Sequence, residues 1–128
     1  MKYKWGLVFS ILLFLVILPL SLKVNFFQND DWYYYEAVQN VYDGNFKLHE
    51  DMGPTLYLQI IFGFMFSLLF GLSKLPVLTL LFSVGSFYVF YLILKKHFFK
   101  SHLLSILGAL VFFVNPLYVY GIFGFMTE

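Results

Sequence analysis

Asn29-Asp30-Asp31-Trp32-Tyr33-Tyr34-Tyr35-Glu36 opens the polar segment of this chain, and the residues on either side of it are apolar for lengths that suit a bilayer. All seven carboxylates fall between Asp30 and Asp51 or at Glu128. An Asp at the centre of a lipid-embedded helix costs about 2.5–3.5 kcal/mol even on the lenient insertion scale. The segregation of acids therefore marks the part of the chain that sits in water.

With 61% hydrophobic and 12% charged residues, the 128-residue chain lies outside the soluble globular range. A soluble domain of this size has no means of burying several apolar runs longer than a core helix. The expected fold is all-α and integral to a membrane. A net charge of +1 gives no case for nucleic acid as a partner. The absence of cysteine excludes disulfides, thiolate metal sites and cysteine nucleophiles. All eight basic residues are lysines, so arginine, the usual fork for phosphate, is missing.

Upstream, Lys2 and Lys4 precede an apolar run from Trp5 to Leu22, about 27 Å long as a helix. Phe26, Phe27 and a snorkelling Lys23 extend it to a span of about 5–27. The pattern is close to that of a signal peptide. However, the run exceeds a typical signal core, and Ser21-Leu22-Lys23-Val24 offers no small-x-small cleavage site. An uncleaved anchor with a cytoplasmic N-terminus is expected, in a plasma or inner membrane.

From Lys23 to Gly53 there are six carboxylates against two lysines. Within this segment Asp31 to Tyr42 reads as an amphipathic helix, since Tyr34, Ala37, Val38, Val41 and Tyr42 share a face at three- and four-residue spacing. Asp30 or Asp31 suits its N-cap and Gly44 its C-terminal stop. Trp32 and the tyrosines favour the membrane interface.

Downstream, Pro54–Leu72 is apolar and carries Gln59, Gly63 and Gly71. A further run, Leu75–Leu94, ends in Lys95-Lys96-His97, and the last reaches from Phe98 to Asn115-Pro116, where the proline kinks or ends it. If Pro54–Leu72 crosses the membrane, three lysines lie inside and five outside. If it lies in or dips into the outer leaflet, the tally reverses and all seven carboxylates share one side. The positive-inside rule prefers the second arrangement. It has three spans (about 5–27, 75–94 and 98–115), an amphipathic surface helix and one long interfacial or re-entrant helix, both within an outer loop over 28–74. Four spans is the alternative.

Asp30 and Asp31, just after a span, fit either helix capping or chemistry. Desolvated by Trp32 and Tyr34, such a carboxylate can take a proton from an incoming hydroxyl, and a pair can hold a divalent cation through oxygen ligands. His49-Glu50-Asp51 is a second polar cluster. It suits a solvated loop, or a metal site completed by Asp30 or Asp31. His97 and His102 flank Lys100 in a basic turn expected to face the cytoplasmic headgroups.

The layout resembles the GT-C superfamily of membrane glycosyltransferases, nearest to the protein O-mannosyltransferases and bacterial lipid-sugar transferases. Those enzymes open their outer loop with Asp-Glu-x-x-Tyr, matched here by Asp30, Asp31 and Tyr34, and follow it with a surface helix and a glycine stop, matched by Gly44. Their His-Pro-Pro-Leu-Tyr segment is represented by Gly53-Pro54-Thr55-Leu56-Tyr57, without the histidine and the second proline. A second acidic residue beyond an Asn-Pro break is matched by Glu128 after Asn115-Pro116.

The resemblance implies that Asp30 is the base and that Asp31 and Glu128 position a metal ion or the acceptor. It implies an inverting transfer from a polyprenyl-phosphate sugar to a hydroxyl of a glycan, lipid or protein. Family members are several times longer, so these residues correspond to the N-terminal portion of such an enzyme, incomplete alone. The rival expectation is a small non-catalytic membrane subunit or assembly protein whose acidic loop binds a partner. A transporter is disfavoured, since ion pathways place carboxylates inside the spans.

Overall fold

The structure, a computed structural model, describes residues 3–23, 31–47 and 57–123. Among these every regular element is a helix: α1 (Lys4–Ser21), α2 (Asp31–Tyr42), α3 (Tyr57–Phe70), a 3₁₀ turn (Leu72–Lys74), α4 (Leu75–Ile93), a π turn (Leu94–Phe98), α5 (His102–Phe113) and α6 (Pro116–Ile122). Two stretches, Lys4–Ser21 and the continuous Leu72–Phe98, are long and apolar enough to cross a membrane. The first is the expected N-terminal run, and residues 24–27 of that expected span lie outside the described residues. The second extends Leu75–Leu94 by a turn at each end.

α4 is the axis of the bundle. Gly6 of α1 sits on the ring of Tyr91, and Phe9 stacks on Phe87 with centroids 5.8 Å apart, so α1 and α4 run antiparallel. A Cβ on Gly6 would lie 2.0 Å from Tyr91 Cε1, so only glycine permits this approach. On another side Phe112 meets Phe90 and Phe113 meets Phe87, at 4.8 and 5.6 Å, which makes α5 antiparallel to α4 as well.

The expected third span, 98–115, differs in detail. Phe99 to Ser101 lie outside any helix, and α5 covers only His102–Phe113. Pro116 does end the helix, and it also starts another: Asn115 caps α6, its Oδ1 accepting from the Leu117 amide at 3.0 Å. α6 keeps to α4, with the Tyr118 hydroxyl donating to the Ser83 carbonyl at 3.0 Å and Ile122 buried in the shared core. The return path along α4 is thus divided between two helices.

Small residues share the helix contacts with the large ones of the core, while many large apolar residues face outward. Gly6, Ser10, Gly63, Ser67, Thr79, Ser83 and Ser105 are buried, whereas Trp5, Val16, Leu69, Val89, Leu103 and Val111 are exposed. The Ser10 and Ser105 hydroxyls donate to carbonyls one turn back, Gly6 and Ser101, at 2.8 and 2.9 Å. Small residues at helix contacts with large apolar ones facing outward suit a lipid surround, where close approach of backbones rather than exclusion of oil drives association.

Candidate functional site

The acidic helix α2 is placed by three buried side chains. Tyr34, Ala37 and Val38 pack with Ile60 of α3 and with Leu75 and Leu78 at the start of α4. These are three of the five residues expected to share an apolar face. Val41 packs at the edge of the cluster, while Tyr42 is exposed, so the buried stripe is narrower than the spacing implied. The exposed Trp32 stacks on Tyr35 at 6.2 Å, and Tyr35 packs at the edge of the cluster.

The helix stops where glycine permits it. Gly44 adopts φ 79°, a left-handed conformation costly for any residue with a Cβ. The Asp43 amide donates to the Gln39 carbonyl and the Gly44 amide to that of Val41. Asn40 then fastens the segment that leaves the helix, its Nδ2 donating to the Lys47 carbonyl at 3.1 Å.

The expected site residues fare unequally. Asp30, His49, Glu50, Asp51 and Glu128 lie outside the described residues. Asp31 is the first residue of α2, so its backbone stands one turn before Tyr34. Tyr34 itself is 3% exposed and belongs to the core that docks α2. Among the described residues no three acidic or histidine side chains gather around a common point that could hold a metal.

Charge divides along the bundle axis. The end built from the start of α2 through Lys47, the end of α1 and the start of α4 carries Asp31, Glu36 and Asp43, together with the exposed lysines Lys23, Lys47 and Lys74. The opposite end carries Lys4, Lys95, Lys96, His97, Lys100 and His102, and no carboxylate among the described residues. There Lys4 lies over the exposed Trp5 ring, 5.6 Å from its centroid, and the Lys95 ammonium donates to the Lys100 carbonyl.

His102 is not simply an outward-facing headgroup contact. Its Nδ1 shares a hydrogen bond of 2.7 Å with the hydroxyl of the buried Tyr91. The sequence held one sign of this pair, a tyrosine placed four residues before the lysines that end an otherwise apolar run. No protein-family model, curated protein or solved structure matches this chain.

Proposed function

We propose that these residues form the N-terminal module of a GT-C-type membrane glycosyltransferase, acting on a polyprenyl-phosphate sugar at the non-cytoplasmic face. The observation that carries it is the docking of α2, over the expected residues and with the expected glycine stop, on the end of the bundle away from the lysine–histidine end. That separation supports an N-terminus and a 95–102 turn in the cytoplasm, and α2 outside. The lysine tally supports three spans, since it leaves five lysines inside and three outside.

In this proposal Asp30 takes the proton of the acceptor hydroxyl. The acceptor oxygen attacks the anomeric carbon from the face opposite the phosphate, the carbon–oxygen bond to phosphate breaks, and configuration inverts. Asp31 and Glu128 orient the acceptor or a divalent cation. The departing phosphate needs positive charge. Lys23 and Lys74, at the same end as α2, are the candidates in a chain without arginine.

The test is transfer from a radiolabelled polyprenyl-phosphate sugar in membranes carrying the complete gene product. Asp30→Asn abolishes transfer with membrane insertion intact, and retained turnover removes the base assignment. Single cysteines at 74 and 100 map the topology: outside for 74 and inside for 100 under three spans, the reverse under four.

A further inference from the structure

Three contacts gather the lysine-rich end of the bundle. Gly6 seats the start of α1 on the ring of Tyr91, and the Tyr91 hydroxyl bonds His102 at the start of α5. The Lys95 ammonium donates to the Lys100 carbonyl across the turn that joins the long helix to α5. The beginnings of α1 and α5 and the end of the Leu72–Phe98 run are therefore neighbours, and packed helices lie about 8–10 Å axis to axis. Lys4, Lys96 and Lys100 stand on one rim.

Nothing among the described residues balances this charge. Lys95 is occupied with a turn carbonyl, the ordinary task of a lysine just past a helix. Lys4 lies over Trp5. Lys96 and Lys100 are exposed, and their ammonium groups have no partner among the described residues. Asp31, Glu36 and Asp43 belong to α2 and its exit, at the opposite end. Like charges this close repel, so the rim favours an anion.

The surroundings select the kind of anion. Both membrane-length stretches, Lys4–Ser21 and Leu72–Phe98, reach this rim, which sets it at headgroup level when they cross a bilayer. Large apolar side chains adjoin the lysines in sequence: Trp5, Phe98 and Leu103 are 56%, 71% and 66% exposed. A soluble anion or an acidic peptide would meet the charge and leave these uncovered. A phospholipid of net negative charge meets both, its phosphate the ammonium groups and its acyl chains the apolar residues. We infer that the lysine-rich end holds the phosphate of an anionic phospholipid, with Lys4, Lys96 and Lys100 as its cationic contacts. Lysine serves such a headgroup as a point charge, without the two-pronged fork of arginine. The inference rests on the membrane-spanning arrangement proposed above, and not on sugar transfer.

Two tryptophans mark the two ends of the bundle, Trp5 beside Lys4 and Trp32 on α2. Trp32→Phe leaves Trp5 as the sole reporter, and Trp5→Phe leaves Trp32. Each chain is reconstituted in mixed vesicles of phosphatidylglycerol and phosphatidylcholine, one of the two carrying brominated acyl chains. Quenching of tryptophan fluorescence then gives the relative affinity for each lipid. Trp5 reports a preference for phosphatidylglycerol of about tenfold or more, and Lys96→Gln and Lys100→Gln each lower it about fivefold, the worth of one lysine near an anionic surface. Both lysine variants stay quenched by brominated phosphatidylcholine, as embedded chains do. Trp32 reports no preference, because the carboxylates of its end offset the lysines there. Equal affinity for the two lipids at Trp5, an unchanged preference in both lysine variants, or the same preference at Trp32 overturns the site. Quenching of Trp5 by neither lipid removes the spanning arrangement itself, whereas a failure of sugar transfer in the radiolabel assay leaves the lipid preference intact.

Discussion

The Tyr91 hydroxyl stands 2.7 Å from Nδ1 of His102, bonding the last turns of the long helix to the first residue of the helix that returns. Gly6 presses on the other side of the same ring. One tyrosine thus fixes three helices at the lysine-rich end.

Tyr91→Phe keeps the ring against Gly6 and removes only the hydrogen bond. It lowers stability by about 1 kcal/mol, the usual net worth of such a bond. His102→Ala produces a similar loss, and the double variant is no worse than the single ones. Unfolding in mixed micelles measures all three; additive losses would show that the two side chains act separately.

Gly6→Leu places a side chain where Tyr91 Cε1 already is. Overpacking of this kind costs about 1–3 kcal/mol and separates α1 from α4. Adding Tyr91→Ala opens room and recovers stability relative to Gly6→Leu alone. A thermal denaturation cycle in detergent reads the coupling, and its absence would mean that α1 docks elsewhere.

Gly44→Ala forces a Cβ into φ 79° and destabilises the end of α2 by about 1 kcal/mol. Gly44→Asn, which tolerates that conformation better, loses less. Limited proteolysis between Asn40 and Lys47 ranks the three proteins as alanine cut fastest and glycine slowest.

Tyr34 separates packing from chemistry. Tyr34→Ala empties a fully enclosed site and costs about 3 kcal/mol or more, releasing α2 from α3 and α4. Tyr34→Phe keeps the ring and leaves α2 docked, as judged by protection of a cysteine at Ala37 from alkylation. Equal exposure of that cysteine in both variants would mean that the ring does not hold the helix.

α2 was legible from its residues because, among the described helices, it is the one that combines acidic residues with a buried apolar stripe. Its apolar stripe, its acidic start and Gly44 each point to the same bounds. The Asn115-Pro116 break was legible for a similar reason, since proline leaves an unambiguous mark on a helix. The spans themselves are apolar all round, so periodicity says little about which face of each turns inward. The inward faces mix large residues such as Phe87 and Tyr91 with small ones, Gly6, Ser10, Ser83 and Ser105, and apolar patterning passes over the small ones. The continuation of α6 along α4 and the inward hydrogen bond of His102 depend on contacts between distant positions, which local spacing does not encode. Of the candidate site, Tyr34 and the backbone of Asp31 are placed, Tyr34 within the core that docks α2.

The π turn Leu94–Phe98 holds one residue beyond what ordinary winding needs. Delete a single lysine from it and everything after it swings by about 100° and draws back by about 1.5 Å. His102 then swings away from Tyr91, and Gly108 leaves its close fit beside Leu94. The surplus residue is the aiming screw of the hairpin, setting the direction in which the chain re-enters the bundle.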